Sequence, residues 1–334
     1  MKKIVTFALM AATAFAAEGY KIISKIKIGG EGRWDYVAFD AVNRRLYVSH
    51  NSSVEVVDPD AGKVVGTIPG LHGVHGIAIA NDLNRGFITN GTTNTVTFFD
   101  LKTLAKSAEP STDRNPDAVC YEPKTKRVFA INHTAGNATS IDAQTGEVLA
   151  KSIPLGSAAE FCQVDGAGKV YVNIESSSEV LEIDAASNAV TRRVSTLPCE
   201  GPSGLAIDVK GKKLFSVCDK VMAVTDIPSF KVVATPAIGD GPDAAGFDSG
   251  LGLAFSSNGA TGTLSIVKPV NGKYDTVDTV TTERGARTMI VDEKMHRVYL
   301  LAAEYGPTPE TKPGEKKGRA PALPDSFHIL VVGK

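Results

Sequence analysis

The sequence predicts an all-β protein: a seven-bladed β-propeller of four-stranded antiparallel blades, its ring closed by the N-terminal strand joining the C-terminal blade. Three observations lead there. Asp58, Asp100, Asp142, Asp184 and Asp226 recur at a constant interval of 42 residues, and a fixed period of roughly 40–50 residues marks a repeat architecture. Each repeat then divides into four short runs rich in Val, Ile, Tyr and Phe, bounded by Gly, Asn, Asp or Pro, as strands joined by tight turns are. Finally, the repeat can be counted seven times.

The first repeat serves as template. Asp35–Asp40 is an alternating run, Asn43-Arg44 a turn, and Arg45–Ser49 a second run. Asn51–Ser53 breaks the chain before Val54–Asp58, Pro59–Gly62 turns it again, and Lys63–Ile68 is the fourth run. The openers of successive first strands are Asp35, His75, Asp117, Glu160, Ser203, Asp243 and Arg287, in steps of 40, 42, 43, 43, 40 and 44 residues. Five residues beyond six of them stands an acid: Asp40, Glu122, Asp165, Asp208, Asp248 and Asp292. The second strand carries a central aromatic at Tyr47, Phe87, Phe129, Tyr171, Phe215 and Tyr299, with Leu253 in its place in blade six. Lys268 stands where the aspartate series would continue. The seventh repeat lacks one strand, and Tyr20–Ile28 is expected to supply it by pairing with Phe327–Val332, which removes an exposed edge.

The repeats resemble the YVTN-repeat β-propeller family, and the whole chain is similar to its periplasmic YncE-like branch. The resemblance rests on Arg45–Ser49 with Val54–Asp58, on Arg127–Asn132 with Ser140–Asp142, and on Lys169–Asn173 with Leu181–Asp184, and it spans residues 20–334. It implies the propeller fold and says little of activity, because propellers host unrelated functions.

Composition agrees with one folded unit. The 334 residues are 43% hydrophobic, and a net charge of −1 with 22% charged residues gives no bulk attraction to nucleic acid or membrane. Residues 1–17 read as a signal peptide, with Lys2-Lys3 before an apolar stretch and Ala14-Phe15-Ala16 at the cleavage site. The expected mature protein is a single domain over 18–334, periplasmic or secreted and monomeric, with no membrane span. Export directs attention to cysteine. Cys120 and Cys162 fall in first strands at different offsets from their openers, point to opposite sides of those strands, and are expected as two buried thiols. Cys199 enters blade five and Cys218 ends its second strand, so both lie at one end of the blade. The family resemblance implies that these two are joined.

Function belongs on one face. The loops entering each blade and those between its second and third strands share it, while the repeated aspartates fall on the opposite face as turn residues. Candidate ligand-binding residues at the channel mouth are Arg33, Trp34, Asp35, His50, His75, Asp117, His133, Glu160, Glu175, Asp243 and Arg287. Polar groups converging in a concavity define the default ligand site. His50, His75 and His133 are the candidate metal ligands, with Asp35, Asp117 or Glu160 completing a site for Zn, Cu or Mn. His72 is a weaker candidate, and His296 and His328 lie elsewhere.

No nucleophile elbow, phosphate-binding loop or haem-attachment motif is present. The first reading is therefore a non-catalytic exported scaffold that binds a small molecule, peptide or protein at its mouth. An alternative is a metal-dependent hydrolase or lyase of lactonase type, for which Asn132, Asn173, Glu160 and Glu175 offer suitable chemistry. The resemblance adds single-stranded DNA binding as a further alternative. Residues 306–325 break the repeat with prolines and a basic run, Lys312, Lys316, Lys317 and Arg319 against Glu315. This insertion is expected as a flexible surface loop, a flap over the mouth or a basic contact arm.

Overall fold

A computed structural model describes residues 19–156, 158–307 and 320–334. Seven four-stranded antiparallel sheets form a ring. The first strand of each blade lies beside the first strands of both neighbours, and the sequence of contacts returns from blade seven to blade one. A single 3-10 turn, Asn81–Leu83, is the helical content of the described residues.

Packing from both sides explains the strand compositions. Second strands such as Arg45–His50 and Lys213–Cys218 are buried at every position but the first. They are sandwiched between neighbouring blades, so an unbroken apolar run is what they need. The outermost strand Ala189–Ser195 alternates between exposed and half-buried, since one of its faces meets water. The central aromatic of the second strand is present in all seven blades. In blade six it is Phe255, fully buried two places into the strand Leu253–Asn258, so Leu253 is the first strand residue and not a substitute for the ring. Blade six does depart at its other end. Its third strand runs on past Lys268 to Val270, and Asn271 and Gly272, both at positive φ, make the hairpin turn that an aspartate makes elsewhere.

The periodic aspartates are architectural. Asp58, Asp100 and Asp142 each accept backbone N–H bonds from residues two and three places on, and Asp184 and Asp226 from the residue three places on. Such bonds favour the carboxylate, and together with neighbouring hydroxyl and lysine groups they hold Asp226 down to about 2. The acids that follow the first strands cap the opposite-face turns in the same way, Asp40 and Asp292 among them.

Lys21–Lys27 pairs antiparallel with His328–Gly333 and completes blade seven. Ile26 is buried among Val37, Leu46, Tyr299 and Ile329, while Tyr20 meets Phe255 edge-on with ring centroids 5.5 Å apart. The two ends of the chain thus lock the ring.

The cysteines correct one expectation. Cys199 and Cys218 are joined, as expected, but Cys120 and Cys162 are joined too, with Cα atoms 6.2 Å apart. Their opposite orientations are what allows the bond. Cys120 pairs across its sheet with Phe129, whereas Cys162 pairs with Val172, one place out of step with the equivalent Tyr171. Adjacent blades pack unlike faces together, so the two thiols converge with Phe129 and Val172 in one cluster. Two disulfides point to an oxidising, extracellular or periplasmic environment, and no helix of the described residues is long and apolar enough to cross a membrane.

The proposed leader lies outside the described residues, as does the middle of the 306–325 insertion. The insertion's two flanks meet as a short ladder, with Tyr305 bridged to Ala322 and Gly306 N–H donating to the Pro321 carbonyl.

Candidate functional site

The openers are aimed by backbone irregularity. In blades one, two, three, four and six, a register shift falls at the opener: between Trp34 and Val37, Val74 and Ile77, Pro116 and Ala118, Ala159 and Cys162, and Pro242 and Ala244. A bulge of this kind bends the strand and re-aims the side chain, here bringing Asp35, His75, Asp117, Glu160 and Asp243 around one mouth. In blades two and five, glycine at the next position lets inner strands crowd together. A Cβ on Gly76 would lie 2.7 Å from the Asp117 carbonyl oxygen, and one on Gly204 only 2.5 Å from the Ala244 Cα.

Aromatic side chains meet next to the openers. Tyr36 of blade one and Phe161 of blade four place their ring centroids 5.1 Å apart. These blades are not neighbours, so the two rings reach across the axis.

Two polar groups line the mouth. In the first, His75 Nδ1 stands 2.7 Å from Asp35 Oδ2 and 3.1 Å from Asp117 Oδ1. Asp35 also faces Arg287 at 3.7 Å, and Arg287 Nε lies 3.0 Å from Asp243 Oδ2. In the second group, His133 Nε2 stands 3.4 Å from Glu160 Oε2 and 3.8 Å from Glu175 Oε2.

So many carboxylates near one another are hard to ionise together. Burial, then the fields of Asp117, Asp243, Glu175 and Asp35, push Glu160 up to about 9. Burial and Asp35 raise Asp117 to about 6, against the pull of His75 and His133. Burial acts to lower His75, but its bond to Asp35 and the charges of Asp117 and Asp35 outweigh this and hold it above its ordinary value. Burial and the same acids drive the Tyr36 hydroxyl far up.

These shifts fix a pH dependence. Asp117 keeps a proton in the folded chain that the unfolded chain has lost, so stability falls as pH rises between about 4 and 6, by at most about 3 kcal/mol. The raised His75 contributes fully below its unfolded value and is lost as pH rises through its folded one, which is the same direction. The lowered turn aspartates act oppositely, their contribution disappearing as pH falls below about 4. In chelator, the urea midpoint is expected to peak between pH 4 and 5 and decline toward pH 8. Glu160, raised further, acts in the same direction between about pH 4.5 and 9 and governs the upper part of the decline. Asp117→Asn should flatten the decline between about pH 4 and 6 and Glu160→Gln the part above it; an unchanged slope in either variant would remove that residue as its origin.

The structure therefore brings together Asp35, His75, Asp117, Asp243 and Arg287, and separately His133, Glu160 and Glu175. Arg33, two residues before Asp35 in the chain, is exposed. His50 is buried elsewhere, against Phe327 with centroids 5.1 Å apart and 3.9 Å from Glu55. His50, His75 and His133 thus have three separate settings. Trp34 stacks on Phe327 at 4.6 Å and borders a pocket of about 240 Å³ beneath the insertion's returning flank. His296 pairs with Asp248 on the opposite face, and His328 with Glu283 at the periphery. Asn132 and Asn173 are fully buried; Asn132 spends its amide within blade three on Thr139, whereas Asn173 donates to the Ser203 and Gly204 carbonyls and ties blade four to blade five. Sequence reading overlooked Phe161, although it follows Glu160 just as Tyr36 follows Asp35.

No family model matches the chain, and no curated protein sequence does. Among solved structures, a chain of "Kuenenia stuttgartiensis Hydrazine Synthase" is similar with a TM-score of 0.70 at 15% identity, covering 82% of this chain and 94% of that one. The structure of U3-55K is similar with a TM-score of 0.74 at 8% identity, covering 93% of this chain and 98% of that one. Identities this low show the fold alone: the chain is a seven-bladed β-propeller.

Proposed function

We propose that this chain is an exported propeller, of the YVTN-repeat family and its YncE-like branch, that binds a cationic ligand at its channel mouth without carrying out a reaction of its own. The repeat motifs support the family, and the two disulfides support an oxidising location. One observation carries the ligand class. Glu160 keeps its proton at pH 7.5, and the carboxylates of Asp35, Asp117, Glu175 and Asp243 still outnumber Arg287 and the imidazoles of His75 and His133, even with both imidazoles charged. A cation entering above Tyr36 and Phe161 relieves their mutual repulsion and can lie on an aromatic face. The same field opposes an incoming phosphate, which speaks against a nucleic-acid strand at this mouth.

The test is a thermal-shift panel in chelator at pH 7.5, with putrescine and arginine methyl ester set against citrate and phosphate. Stabilisation grows as RT ln(1 + [L]/Kd), so ligand at about 100 times Kd adds about 2.7 kcal/mol. Cations should raise the midpoint and anions should not, and Asp117→Asn/Asp243→Asn should abolish the rise. Stabilisation by the anions, or an equal response in the double variant, overturns the proposal.

A further inference from the structure

Resting on the cation-binding reading of the mouth, we propose that His133, Glu160 and Glu175 form a site for a divalent transition metal between blades three and four. Spacing is the first argument. The imidazole Nε2 lies 3.4 Å from one carboxylate and 3.8 Å from the other, and the three ligand atoms lie within 4.8 Å of one another. Metal–ligand bonds of about 2.0–2.2 Å set tetrahedral edges of about 3.3–3.6 Å, so small side-chain adjustments close the set around one ion. The other multi-acid histidine differs. His75 sits 2.7 and 3.1 Å from its carboxylates, with Nδ1 already hydrogen-bonded to Asp35. His50 has a long contact too, but to the single carboxylate of Glu55.

Support of the ligands is the second argument. His133 N–H donates to the Asn115 carbonyl at 3.0 Å, and Glu175 N–H to the Ala158 carbonyl at 2.9 Å. Glu160 sits in the register shift of the blade-four inner strand. His133 and Glu175 therefore project from hydrogen-bonded backbone, while the bulge aims Glu160 toward them. The blades bearing them are also stapled together by the Cys120–Cys162 bond, two residues beyond Glu160. One imidazole with two carboxylates suits Zn²⁺ or Mn²⁺ better than soft Cu(I) or an all-oxygen Mg²⁺ shell. Three protein ligands leave a coordination position open to the mouth.

The experiment is calorimetric titration of Zn²⁺, and separately Mn²⁺, into chelator-treated full-length protein, with folding of every variant checked by circular dichroism. One equivalent of Zn²⁺ per chain is expected. His133→Ala and Glu160→Gln should each weaken binding at least 100-fold, while His72→Ala, on an exposed loop, should change it less than threefold. Absence of stoichiometric binding overturns the site, as does binding that survives His133→Ala but is lost in His75→Ala. The outcomes separate the two proposals. If the amines still stabilise the protein while metal does not bind, the metal site alone fails; if neither acts, the cationic mouth fails with it.

Discussion

A chain lacking Tyr20–Ile28 is expected to lose most of its stability and to aggregate. That segment supplies the outer strand of blade seven, paired from Lys21 to Lys27 with His328–Gly333. Its removal breaks a ladder whose bonds contribute about 0.5–1.5 kcal/mol each, and it uncovers the partners of Tyr20 and Ile26, buried side chains of about 2–3 kcal/mol apiece. Together these amount to on the order of 10 kcal/mol, comparable to the whole stability of an ordinary domain. The deletion also leaves His328–Gly333, buried along its length, as a bare hydrophobic edge. Thermal unfolding and sedimentation of the truncated chain test this. An unchanged midpoint in a monodisperse sample would mean that the ring does not depend on its closure.

Disulfide removal should give the second-largest effect, with the two bonds distinguishable. The chain-entropy model assigns about 4 kcal/mol to the 42-residue separation of Cys120 and Cys162, and about 3 kcal/mol to the 19-residue separation of Cys199 and Cys218. Cys120→Ala/Cys162→Ala should therefore lower the denaturation free energy more than Cys199→Ala/Cys218→Ala does. It should also reach the mouth, because the bond joins the inner strands that carry Asp117 and Glu160. Reduction of the wild type is expected to weaken cation binding by joining these two effects. Non-reducing peptide mapping of protein from an oxidising compartment should find both bridges and no free thiol. Alkylation of Cys120 and Cys162 in that material would refute the interblade bond.

The sequence by itself determined the propeller. Strand length, turn chemistry and the 42-residue aspartate interval are local properties, repeated often enough that blade number and ring closure followed from counting. It also determined that the aspartates are turn residues, because an acid repeated in blade after blade serves what every blade needs. Sequence reading puts Leu253 in place of a blade-six aromatic, since Leu253 and Phe255 both fit an apolar strand and only pairing with Asp248 sets the register. What crosses between blades was decided by tertiary structure alone. The Cys120–Cys162 bond depends on unlike faces of adjacent sheets meeting, which strand parity within one blade does not reveal. The mouth shows the same limit. Its candidates could be named from strand openers, but the division into an Asp35–His75–Asp117 group and a His133–Glu160–Glu175 group, with His50 apart from both, follows from bulges that turn individual side chains toward the axis. Residues about 40 places apart in the chain meet there because the ring bends the chain back upon one axis, a long-range condition that no window of sequence contains.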